Sequence, residues 1–107
     1  MKKKIESEET EIKSLKINVR KIKENELEER GLPKNTKGLV ITKIANDSPV
    51  NYLKVGNIIV EAQKKKIKTV GDLEMAISKA NKTKEKTLLI VIYNNQNQRR
   101  YIGVKLN

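Results

Sequence analysis

The residue types that most often carry chemistry are sparse in this sequence of 107 residues. It has no histidine and no cysteine. That removes the imidazole base, the thiolate nucleophile, the disulfide and the usual zinc ligands. No lysine and serine stand in a recognisable nucleophile motif. What remains is charge: 24 Lys+Arg against 13 Asp+Glu, a formal net charge of +11. The charge is uneven. Residues 1–30 carry nine Lys/Arg against eight Glu, whereas 31–107 carry fifteen against five acids. A cationic surface is the footprint of a nucleic-acid binder. Yet 20 of the cations are Lys and only 4 are Arg. Arg is the residue that forks onto phosphate and guanine. Base-stacking aromatics are limited to Tyr52, Tyr93 and Tyr101. With 11 Asn and 13 Ile alongside, the lysines read as a solvated surface on a Lys-, Asn- and Ile-rich background. A nucleic-acid surface and a membrane surface stand as the less favoured readings of the charge.

These groups need elements to position them. The length predicts one domain with a modest core. No apolar run reaches 18 residues, so no membrane-spanning helix is expected. The opening MKKKIESEETEI lacks the apolar stretch of a secretory signal as it stands. Residues 1–13, with Glu6, Glu8, Glu9 and Glu11, read as a disordered arm, and the folded domain is expected over 14–107. Leu15, Ile17 and Val19 alternate with polar neighbours as a half-buried strand. Glu24–Arg30 reads as a short helix, closed by Gly31 and Pro33. Strands follow at 38–44 and 57–62, then a tight basic turn at 63–66 and a short extended piece, Ile67-Lys68. Thr69 and Asp72 mark the start of the main helix, 69–80, whose apolar face is Val70, Leu73, Ile77 and Ala80 with Ala76 beside it. Strands at 87–93 and 99–106 flank Asn94-Asn95-Gln96-Asn97 as a hairpin. The fold class is α+β: a partly open antiparallel barrel or sandwich of five to six strands, capped by two helices.

Four segments, taken in order, resemble a known family. Gly38-Leu39-Val40-Ile41-Thr42-Lys43-Ile44 with Asp47-Ser48-Pro49 resembles the "GVVVTxVxxGSPA" stretch of bacterial PDZ domains. Leu53–Ala62 resembles their "LKxGDIIxxV" stretch, and Ile67–Leu73 their "VxSxxDL". Arg100-Tyr101-Ile102-Gly103-Val104 matches the closing strands. The likeness covers about residues 14–106. The strand order fits the circularly permuted PDZ of HtrA/Deg-type serine proteases, with the last PDZ of the parent as the expected place.

The resemblance implies a function and a site. The domain binds the end of an extended hydrophobic peptide by adding it as a strand. Leu15, Lys16 and Ile17 occupy the carboxylate-binding loop, and Val19, Val70, Leu73, Ile77 and Ala80 line the groove. The chain itself is expected not to be an enzyme; its parent is a periplasmic serine endopeptidase of protein quality control. The implied partners are peptide or unfolded-protein ends, the protease domain and sister PDZ domains. No cofactor or metal is implied. Two further readings stand beside this one: a PDZ kept for assembly with a degenerate groove, and a basic nucleic-acid binder.

The sequence departs from the family at informative places. Lys16 stands where the loop has Gly, although its ammonium would also attract a carboxylate. Gln63-Lys64 stands where Asn-Gly is frequent, and Asn57 where Asp is. Only Val50-Asn51-Tyr52 separate Pro49 from Leu53, too few for the family's one-turn helix. A tight turn with a buried Tyr52 is expected there.

Overall fold

The computed structural model describes residues 9–106. Its elements are β1 (Thr10–Ile12), β2 (Ile17–Lys21), α1 (Glu24–Arg30), β3 (Leu39–Ile44), β4 (Ile58–Ala62), β5 (Lys65–Lys66), α2 (Val70–Asn81), β6 (Thr87–Tyr93) and β7 (Arg99–Lys105). The strands form one antiparallel sheet in the order β1-β2-β3-β4-β6-β7, with β5 paired to β4. The α+β class holds. The strand number is seven, where the sequence predicts five to six. The addition is Thr10–Ile12, which falls where an arm is expected; the short strand expected at 67–68 forms instead at Lys65–Lys66, inside the expected turn. The arm expected over 1–13 is therefore corrected over residues 10–12. Its first eight residues lie outside the described ones.

The sheet buries both of its faces near the centre, which explains the unbroken apolar runs of β3 and β4. Leu39, Ile41 and Ile59 join the main core, together with Leu73, Ile77 and Ala80 of α2. Val40, Ile58 and Val60 point the other way, into a second cluster with Val91, against which Ile22, Leu32 and Tyr93 pack. Each helix starts and stops for local reasons. The Thr69 hydroxyl accepts the Asp72 N–H at 3.1 Å, and the Asp72 carboxylate accepts the N–H groups of Lys68 and Thr69. These amides hold the Asp72 carboxyl below its usual value. Helix α1 ends at Gly31, where φ is +71° and the N–H of Leu32 returns to the Leu27 carbonyl at 2.8 Å.

At the other end of α1, the Glu26 carboxylate takes both Arg20 Nη atoms, at 2.8 and 2.6 Å, and the Lys23 N–H. The Arg20 hydrogen bonds hold the Glu26 carboxyl below its ordinary value, against the opposing effect of burial. A carboxyl lowered on folding stabilises above its unfolded value, about 4.3, and loses that contribution as pH falls through the folded value. Urea midpoints measured from pH 7 to pH 3 should therefore fall more for the wild type than for Glu26→Gln. Parallel curves would show that the pair contributes nothing.

The segment after Pro49 is a tight turn, as expected. Asn51 N–H reaches the Ser48 carbonyl and Leu53 N–H the Val50 carbonyl, at 3.2 and 2.9 Å. The residue that fills the core is different. Val50 is fully buried, while Tyr52 is 54% exposed. In so short a turn the branched side chain two residues after Ser48 faces inward and the tyrosine faces solvent. The β4–β5 connection keeps its geometry without Asn-Gly: Gln63 and Lys64 both hold positive φ, +53° and +68°.

Candidate functional site

The loop before β2 is expected, from the resemblance, to present free backbone N–H groups. It is instead a tight return between β1 and β2. The Leu15 and Lys16 N–H groups both donate to the Ile12 carbonyl, at 3.1 and 2.7 Å. β1 lies antiparallel on β2, with Thr10 opposite Val19, Glu11 opposite Asn18 and Ile12 opposite Ile17. The strand expected over 15–19 is shifted, since 17–21 form β2 and 13–16 form the turn. The inward alternation of Leu15, Ile17 and Val19 survives the shift.

Lys16 adopts φ +54°, a region that a Cβ makes costly. The Lys16 carbonyl accepts the Ala45 N–H at 3.0 Å. Its ammonium lies 2.6 Å from the Asp47 carboxylate, both side chains well exposed. That hydrogen bond holds the Asp47 carboxyl below its usual value. An ammonium paired in this way contributes little to stability. Lys16→Gly should therefore raise stability, by about 0.5–1 kcal/mol, through relief of the left-handed strain net of glycine's extra chain entropy. The urea midpoint reads this, and a drop would show that the ion pair outweighs the strain.

Ser48, which enters the sequence reading only as part of the Asp47-Ser48-Pro49 turn, is a positioning residue. It is buried, its hydroxyl donates to the Leu15 carbonyl at 2.5 Å and accepts the Val50 N–H at 3.0 Å. One hydroxyl thus fixes the loop against the Pro49 turn. The signal available was a serine beside a proline at the end of a strand. Asn57 is also buried, and its side-chain carbonyl accepts the Lys54 N–H at 3.1 Å. The acceptor that an Asp would supply is kept there without burying a charge.

The residues named for the groove do come together, but as core. Leu15, Ile17, Val19, Leu73, Ile77 and Ala80 are at most 5% exposed, and Ile12 shares their cluster. Val70 is half-buried at its margin. A polar cleft of about 330 Å³ opens beside the loop, between Ser14, Lys16, Asp47, Asn81 and Lys105. A second, more apolar cleft of about 230 Å³ lies one stripe round α2, between Ala62, Ile67, Met75 and Ala76. Among the described residues, no group of three Asp or Glu is placed to hold a metal, and no helix is long and apolar enough to cross a membrane.

Comparison with known proteins gives the sequence a context. Over 73 residues, 66% of this chain, it is 32% identical to a probable periplasmic serine endoprotease, DegP-like, from Brucella suis biovar 1 (strain 1330). The same figures hold for the proteins of that name from Brucella abortus (strain 2308) and Brucella melitensis biotype 1. The chain is homologous to one segment of DegP-like serine endoproteases. It spans 14% of their length. No family model matches the chain.

Proposed function

We propose that the chain is a PDZ-like, peptide-binding regulatory module of a bacterial, periplasmic DegP-like serine endoprotease. Its site is the edge of β2 together with α2. An extended hydrophobic peptide end adds as a strand beside β2. The N–H groups of Leu15, Lys16 and Ile17 hold its terminal carboxylate. An apolar side chain enters between Leu15, Ile17, Leu73 and Ile77, with Val19, Val70 and Ala80 around it. The module recruits unfolded or cleaved chains to a protease domain that supplies the nucleophile and base. One observation carries the reading: the β2 edge already pairs with an extended segment whose last carbonyl draws on the Leu15 and Lys16 amides.

Charge-assisted hydrogen bonds contribute about 1.5–3 kcal/mol each, and burying one aliphatic side chain a similar amount. Ordering and association remove several kcal/mol. The balance is an affinity between about 1 μM and 1 mM. Fluorescence anisotropy with labelled peptides ending in Val or Ile tests the proposal. Saturable binding that fails when the terminal carboxylate is amidated is expected. No binding at millimolar peptide supports a second reading, that the domain docks against a sister domain. One observation favours that second reading: the Leu15 and Lys16 amides are already bonded within the chain. Binding to DNA that weakens steeply with salt would instead support a nucleic-acid surface.

A further inference from the structure

We propose that β1 is a tethered ligand for the chain's own groove, so that a peptide binds only when β1 leaves. The inference rests on the peptide-binding reading and concerns how that site is regulated and what it selects. Three observations meet at Ile12. Its strand pairs antiparallel with β2, on the side away from β3. Its carbonyl oxygen accepts the Leu15 and Lys16 N–H groups at 3.1 and 2.7 Å. Its side chain is 2% exposed within the cluster of Leu15, Ile17, Leu73 and Ile77. Strand, carbonyl and side chain thus occupy together the three places that an incoming peptide's strand, carboxylate and terminal side chain need. Each amide hydrogen has one place to go, so occupancy is mutually exclusive.

The strand is held lightly enough to leave. It has three residues, of which Glu11 is exposed and Thr10 half-buried. Beyond the ladder, the Glu9 carboxylate accepts the Thr42 hydroxyl. Opening also frees Lys16 from the tight return that holds it at φ +54°. The tether, residues 13–16, is short, so β1 competes at an effective concentration in the millimolar range or above. If β1 is docked in 90–99% of molecules, a free peptide's apparent affinity falls by about ten- to a hundredfold. The same register defines the class of peptide. The last paired residue is aliphatic, as Ile12 is. The one before it faces solvent and is unselected, as Glu11 shows.

The absence of native cysteine gives a clean test on the full chain. Glu11 and Asn18 are directly opposed, and neither is in the core. Opposed residues in an antiparallel pair have Cα atoms ~4.5–5.5 Å apart, within disulfide range. Glu11→Cys/Asn18→Cys should lock β1 when oxidised and release it when reduced. The probe is a fluorescein-labelled peptide ending Thr-Glu-Ile with a free carboxylate. At least tenfold weaker binding by the oxidised form is expected. Ile12→Asp, which drives β1 into water, should bind about tenfold tighter than wild type; if it does not fold, the disulfide pair carries the test alone. Equal affinity in the oxidised and reduced forms overturns this proposal and leaves peptide binding standing. Absence of binding at millimolar peptide by reduced, oxidised and Ile12→Asp forms, all folded by circular dichroism, overturns both.

Discussion

Leu73→Ala is expected to lower the stability of the folded chain by about 3 kcal/mol, the scale of buried Leu-to-Ala changes. Leu73 has no solvent exposure and lies in the main core with Ile17, Ile41 and Ile77. It sits one turn into α2, three residues after Val70, so it anchors the helix on the sheet. Truncation removes transfer energy and leaves a cavity that the rigid β2–β3 pairing cannot close. The urea midpoint should fall steeply with little change in slope. A residue that only lined an open pocket would cost less than about 1 kcal/mol, since little buried surface would be lost. The size of the loss therefore decides between core and pocket. Ile77→Ala, at 5% exposure, should behave in the same way.

Arg30→Ala should cost about 3 kcal/mol, because charge-assisted hydrogen bonds contribute ~1.5–3 kcal/mol each and several go at once. The guanidinium donates through Nη1 to the Gly56 carbonyl and through Nη2 to the Asn94 carbonyl, both at 2.7 Å, and through Nε to the Asn97 side-chain oxygen at 3.1 Å. The Asn97 amide returns a hydrogen bond to the Arg30 carbonyl. One side chain thus ties the end of α1 to the turn before β4 and to the β6–β7 loop. Removal leaves part-buried carbonyls unpaired. Arg30→Lys should recover less than half of the loss, because an ammonium cannot reach three acceptors in a plane. Denaturant unfolding of both variants checks this. A lysine variant as stable as wild type would contradict the clasp and leave only a charge at a helix end.

Much of the architecture is written locally. The Thr69/Asp72 start and the spacing of Leu73, Ile77 and Ala80 define α2 without tertiary information. Gly31 does the same for the end of α1, and the Asn-rich run for the β6–β7 loop. The elements that the sequence does not announce lack a local signature. β1 is Thr-Glu-Ile, with one apolar residue, and its strand conformation comes from the β2 edge. β5 is two exposed lysines, ordered by the backbone of β4. In the sequence Arg30 looks like a charge complementing a helix dipole, because its three acceptors come from residues 26 to 67 positions away. The site is legible as a set of residues and not as a state. Leu15, Ile17, Leu73 and Ile77 are apolar whether they line a pocket or close a core, and only the position of Ile12 distinguishes the two. Val50 and Tyr52 exchange places for a related reason: side-chain size suggests the tyrosine, while turn geometry selects the valine.

On the proposed reading, the chain meets an extended peptide at the β2 edge beside α2. Amide chemical shifts followed through a titration with a peptide ending Thr-Glu-Ile test it most directly. The largest changes are expected on Leu15, Lys16, Ile17 and Asn18, with Glu11 and Ile12 moving as β1 is displaced. Changes confined to the cleft of Met75 and Ile67 or to the β7 edge, with the Leu15–Val19 amides still at millimolar peptide, would contradict it.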